Sequence, residues 1–247
     1  MGVLGLQSPA SVDGSDPAAV SLLQQSTSAL AGSNRLDDIQ LTGTAYWHAG
    51  SENLRGPVTL QANSSGRSRM QLDLGARSRT EIYSGHHEQP ACAWTGTDKV
   101  PHDMGAHNCW TVGPWFFPNV SLLSGQQQAR NLLSYAGQEA RDGSAVEHIQ
   151  IRRAFASPTK AALDLVNRVS TVDLYLDSVT KLPVSLAYFI HPGGDARRDI
   201  PIEVRFSDYR DVAGIKAPFH IEKLMNGSTI LEISITSAAF NTGVLTN

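Results

Sequence analysis

The stretch Arg205-Phe206-Ser207-Asp208-Tyr209-Arg210-Asp211-Val212-Ala213-Gly214-Ile215-Lys216-Ala217-Pro218-Phe219-His220-Ile221 decides the fold class. It reads as a strand, a polar turn and a second strand, with a Gly and a Pro where the chain reverses. Val204 and Phe206 on one arm, and Phe219 and Ile221 on the other, alternate with polar neighbours. Each arm can therefore present one apolar face to a shared interior. The earlier stretch Leu174-Tyr175-Leu176-Asp177-Ser178-Val179-Thr180-Lys181-Leu182-Pro183-Val184 has the same make-up. Both are antiparallel sheet, and neither is a catalytic signature.

Working outward, the final third supplies strands near residues 171–177, 183–190, 201–209, 217–225 and 229–236, with Asn226-Gly227 as a two-residue hairpin turn between the last two. From residue 39 to 94 the same period of two recurs through Leu41, Ala45, Trp47, Val58, Leu60, Ala62, Met70, Leu72, Leu74 and Ile82. Polar breaks at 50–53, 63–66 and 75–76 cut this region into a four-stranded meander. Asn131–Ala136 and Ala145–Arg153 flank a further hairpin with an Asp-Gly turn, and residues 158–169 hold a short helix. Near the start, Ser15 or Asp16 caps a helix running to about Ala31, with Pro17 at its first position and a stripe of Val20, Leu23, Thr27 and Leu30. Residues 1–14 are small and polar and are expected to be disordered. Their faintly apolar opening, Met1 to Ser8, fits either a trimmed signal peptide or an arbitrary start.

The order of these pieces, an Asp-containing hairpin ending in Leu182-Pro183 and later a Phe206-Ser207-Asp208-Tyr209-Arg210 strand turning at Gly214-Ile215-Lys216-Ala217-Pro218, resembles the LolA-like family of periplasmic lipoprotein carriers and their sorting-protein relatives. The likeness covers about the last third well and the earlier strands in general pattern. It implies an open, half-closed antiparallel barrel wrapped around helices, with an apolar concave face that holds acyl chains. The carriers are also known for a cavity arginine. Arg69 and Arg79 lie in the right region, but no surrounding motif aligns either, so no functional residue is carried over.

The expectation is one mainly β (α+β) domain over residues 15–247: a curved antiparallel half-open barrel of about nine to eleven strands, covered by the N-terminal helix and short helices. A sheet with one apolar face needs a cover, whether helix, second sheet or ligand. Trp47, Leu60, Met70, Leu72, Ile82 and the aromatic run Trp115-Phe116-Phe117 are the candidate ligand-binding residues, with a closed, dry core as their alternative role.

Composition narrows the function classes. A formal charge of −3 with scattered basic residues offers no footprint for nucleic acid. No run approaches the roughly 20 apolar residues of a membrane-spanning helix. Cys92 and Cys109 are the only cysteines, and the turn-rich segment between them suggests one disulfide and an oxidising compartment, in keeping with a periplasmic or otherwise extracytoplasmic protein. Two separate buried thiols are the alternative. No phosphate-cradling Gly loop, nucleophile elbow, His-Glu-x-x-His helix or zinc knuckle is present, and no catalytic residue or cofactor is assigned. His86, His87, His102 and His107 with Asp103 match no usual ligand spacing and read as loop histidines, so no metal is assigned.

Two functions follow. The first is a non-catalytic extracytoplasmic protein that binds or carries a lipid, a lipoprotein acyl chain or another apolar ligand. The second is a cell-envelope interaction or sensor module whose curved sheet takes a protein partner.

Overall fold

Two meanders, joined along their first and last strands, make one sheet in the computed structural model, which describes residues 14–50, 52–75, 77–84, 91–105, 107–111, 113–117, 131–154 and 159–245. The first meander runs β1 (Asp38–Ala49), β2 (Glu52–Asn63), β3 (Ser68–Leu74), β4 (Arg77–Tyr83), β5 (Cys92–Thr95) and β6 (Pro101–Asp103). The second runs β7 (Asn131–Arg141), β8 (Ser144–Arg153), β9 (Val172–Asp177), β10 (Pro183–Ile190), β11 (Ile200–Val212), β12 (Ile215–Met225) and β13 (Ser228–Phe240). Antiparallel pairing of β1 with β13 unites them in the order β6-β5-β4-β3-β2-β1-β13-β12-β11-β10-β9-β8-β7. Two helices, α1 (Pro17–Ala31) and α2 (Lys160–Ser170), and a 3-10 turn at Asn108–Trp110 complete the described elements.

The result is a curved, open, antiparallel sheet of the half-barrel class, with thirteen strands among the described residues where nine to eleven are expected from sequence. The additional pair, β5 and β6, lies inside the segment between the cysteines that reads as a loop. These strands are four and three residues long, and β6 opens on Pro101, so neither offers a run of alternation to read.

The tight hairpins follow from turn chemistry. Asp142-Gly143, Ala213-Gly214 and Asn226-Gly227 each place two residues at positive φ, the geometry that matches the twist of the flanking strands. Gly56 has a different task. Pairing of β2 with β3 ends at Val58 and Leu72, and past it the end of β3 crosses so close that a Cβ on Gly56 would fall 1.8 Å from the Asp73 carbonyl oxygen. A residue without a side chain lets the two backbones meet there.

On the concave side, buried residues from both meanders form one core: Ile39, Leu41, Leu60 and Leu72 from the first, Ile149, Leu174, Val204, Ile221 and Ile233 from the second. Helix α1 begins with Asp16, whose carboxylate accepts from the Ala18 N–H at 2.8 Å, and packs against β7 and β12. The Asp16 N–H donates to the Leu133 carbonyl at 2.8 Å, fastening the start of the helix to the outer strand β7. Its buried face is Ala19, Leu23, Ser26 and Leu30. Leu23 and Leu30 lie where the periodicity put them, whereas Val20 and Thr27 flank the contact, half-buried. The chain between β6 and β7 links the two outermost strands of the sheet. Its described part, up to Phe117, lies against the concave face and buries Trp115, Phe116 and Phe117 in the core.

Candidate functional site: an apolar groove with one unmatched cation

The register of the sheet sets which side chains share the concave face. Leu174, Leu186, Val204, Lys223, Leu231, Trp47 and Leu54 are successive cross-strand partners from β9 through β2. Six of the seven are apolar, and the seventh is a lysine. On β4, pairing of Leu72 with Arg79 and Met70 with Glu81 turns Arg79 and Glu81 inward and leaves Ile82 on the opposite face, 49% exposed.

The linking segment fills one part of the concavity. Phe116 and Phe117 meet Leu30 of α1 together with Phe206, Tyr209 and Pro218, and leave no space for solvent among them. The ring of Trp115 lies 4.5 Å beneath the Lys223 Nζ. The segment is held at two points. A disulfide joins Cys92 of β5 to Cys109 in the 3-10 turn, with Cα atoms 5.6 Å apart. Asn108 forms a pair of hydrogen bonds with the backbone of His191, just past β10. Beside Asn108, the His107 and His191 rings meet edge to face at 5.5 Å, and His191 bonds Asp199 at 2.9 Å.

Elsewhere the described residues leave space in the concavity. A groove of about 340 Å³ is lined by Trp47, Leu54, Leu74, Arg77, Arg79, Trp94 and their neighbours. Trp47 and Arg79 also border a second chamber of about 160 Å³, whose walls include Glu81, Asn108, Tyr188, Ile202, Lys223 and Met225. Arg79 bonds Glu81 at 2.6 Å and lies over the Trp94 ring at 4.5 Å. Burial draws the Lys223 ammonium below its usual range, an effect that the Glu81 carboxylate opposes and Arg79 reinforces. A smaller cavity of about 80 Å³ lies between Trp115, Tyr83, Arg153 and Leu186.

Of the residues singled out from sequence, Trp47 lines the groove and the chamber. Leu60, Met70 and Leu72 form buried core on the concave face, joined there by Trp115, Phe116 and Phe117. Ile82 stands apart from them. Arg79, noted from sequence only as lying in the region of the family's cavity arginine, lines the groove and the chamber, and the residues missed are Glu81, Trp94, Tyr188 and Lys223. Lys223 had a signal, since it continues the alternation Phe219, Ile221 onto the same face of β12.

The described histidines of the set, His102 and His107, do not converge. His102 stacks on Trp94 at 4.2 Å and bonds Asp98 at 3.1 Å, away from His107 with its His191 contact. His86 and His87 lie outside the described residues. Among the described residues no three His, Cys, Asp or Glu side chains gather as a metal site would require, and no helix is long and apolar enough to cross a membrane.

The fold is that of the lipoprotein-sorting domains. An outer membrane lipoprotein-sorting protein domain from Vibrio parahaemolyticus superposes over 92% of this chain and 94% of its own, with TM-score 0.57 and 11% identity. A DUF1329 family protein from Desulfovibrio piger gives TM-score 0.57 at 11% identity, over 92% of this chain and 93% of its own. In sequence, no family model matches the chain and no curated protein is similar to it.

Proposed function

We propose that this protein binds or carries a lipid, or the acyl chain of a lipoprotein, in the concave face of its half-barrel, without catalysis and outside the cytoplasm. The observation that carries this reading is the open groove beside Trp47. Helix α1 and the Trp115–Phe117 segment pack into the concavity, yet the apolar walls contributed by Leu54, Leu74 and Trp94 enclose about 340 Å³ of free space. An apolar concavity of this size is the form that small-molecule sites take. Acyl chains are held there by removing apolar surface from water, which needs little polar precision.

The likeness to a lipoprotein-sorting domain supports the same reading, and the disulfide suits an oxidising compartment. Trp47 is the proposed contact in the groove, with Leu60, Met70 and Leu72 as the apolar layer of the same meander and Trp115, Phe116 and Phe117 as core packed into the same concavity. Displacement of an uncharged fluorescent apolar probe by a series of straight-chain alcohols tests it. Affinity should rise with chain length, by up to about 0.8 kcal/mol per methylene while the chain remains inside the groove. Absence of saturable probe binding to folded protein would overturn the carrier reading in favour of an envelope protein-interaction module.

A further inference from the structure

Two polar groups on the wall of the 160 Å³ chamber have no hydrogen-bond or ion-pair partner among the described residues. Lys223 Nζ makes no ion pair there, and its nearest recorded contact is the Trp115 ring at 4.5 Å. Glu81, the carboxylate that acts on it through space, is already bonded to Arg79 at 2.6 Å. Cations thus outnumber anions on the chamber wall, with Arg79 and Lys223 against Glu81. The second group is the hydroxyl of Tyr188, a residue only 2% exposed, which lines the same chamber with its oxygen buried and unbonded. Proteins rarely leave a buried hydroxyl unpaired, and a lone cation in an apolar row is more unusual still.

We infer that the chamber holds the headgroup of a single-chain amphiphile bearing one carboxylate, with Lys223 supplying the counter-charge, Tyr188 donating a hydrogen bond, and the chain running past Trp47 into the groove. This rests on the carrier reading and adds the ligand class to it. One charge and one donor are unmatched, and a carboxylate brings one charge and two acceptor oxygens. A dianionic head would set its second charge against Glu81. Space points the same way, since chamber and groove, at about 160 and 340 Å³, suit one chain better than the two of a diacyl phospholipid. Burial depresses the affinity of Lys223 for its proton, and a carboxylate bound beside it would oppose that effect.

The test compares palmitate with hexadecanol and with a palmitoyl lysophospholipid as competitors of an uncharged fluorescent probe, all below their micellar concentrations. Palmitate should bind at least about tenfold more tightly than hexadecanol. Lys223→Met should abolish that difference, Lys223→Arg should retain most of it, and Tyr188→Phe should reduce it several-fold. Equal binding of acid and alcohol by the unaltered protein overturns the inference, as does a preference that survives in Lys223→Met. Tighter binding of the lysophospholipid than of palmitate overturns the choice of a carboxylate. In each of those cases the carrier reading stands, because the chain still binds. Failure of every ligand, hexadecanol included, removes the carrier reading itself.

Discussion

Asn108 grips the backbone of His191 with both ends of its amide: Nδ2 donates to the His191 carbonyl at 2.8 Å, and Oδ1 accepts from the His191 N–H at 2.8 Å. The contact spans 83 residues of sequence and fixes the segment between β6 and β7 to the far meander. Two hydrogen bonds to partly buried backbone contribute about 1–3 kcal/mol together. Asn108→Ala should therefore lower the melting temperature by roughly 2–10 °C. Asn108→Asp, which keeps the acceptor and loses the donor, should fall between. A melting temperature unchanged in Asn108→Ala would show that the segment is held without this clamp.

The Cys92–Cys109 bridge holds the same segment to β5 across a sequence separation of 17. Closing a loop of this size stabilises by on the order of 3 kcal/mol in the chain-entropy account. Reduction should lower the melting temperature by roughly 6–12 °C. Thiol titration of the denatured, unreduced protein should find no free sulfhydryl, and two free thiols would contradict the bridge.

His107 gives the segment a dependence on pH. Burial pushes its imidazolium below the ordinary value of 6.5, and the nearby His191 adds to this, while a hydrogen bond to the His191 backbone acts in the opposite sense. Asp199 faces His191 and is itself paired with Arg168 at 2.8 Å. With the folded value depressed, the unfolded chain takes up its proton first. The contribution of neutral His107 is thus present above about pH 6.5 and is lost as pH falls through the folded value. His107→Gln should lose less melting temperature than the unaltered protein between about pH 7.5 and pH 5. Parallel curves for the two proteins would exclude His107 as the source. The Asp199 carboxyl, held low by Arg168 and then His191, titrates in a separate and more acidic window.

Leu23 is 3% exposed on the buried face of α1. Leu23→Asp removes its packing and places a carboxylate without a partner against the sheet, an expected loss of at least about 3 kcal/mol. Near-normal melting of this variant would mean that α1 is not needed to cover the concavity. Gln24→Asp, on the exposed side of the same helix, is the control and should change little.

Much of this architecture is readable in the sequence where one physical signal acts alone. The Asp142-Gly143 and Asn226-Gly227 turns are fixed by the residues that tolerate positive φ, and β1 to β3 by alternation against a single apolar face. Reading fails at β4. There Ile82 is the one aliphatic residue and suggests the inward side, but the ladder with β3 places Arg79 and Glu81 inward instead. A face that lines a groove need not be apolar, so alternation loses its meaning at the place where a ligand would sit. Tyr188 and Lys223 come from strands that are distant in sequence, and only the ordering of β10, β11 and β12 brings them to one chamber. The aromatic run at Trp115 is conspicuous by composition, yet its partner Lys223 is set by a crossing of the linking segment that no local pattern encodes.

The seam between β1 and β13 also has a kinetic meaning. Within each meander every strand pairs with its neighbour in sequence, so those contacts close short loops, whereas the seam joins Ile39 to Phe240. Loop-closure entropy rises with separation, and pairings of high contact order form slowly. Each meander can therefore organise early with an unpaired β1 or β13 along its border, an exposed template for strand addition until the two halves meet. The step most open to misassembly is the meeting of the halves, and the hydrogen-bond ladder from Ile39 to Trp47 is the part of the molecule expected to gain exchange protection last.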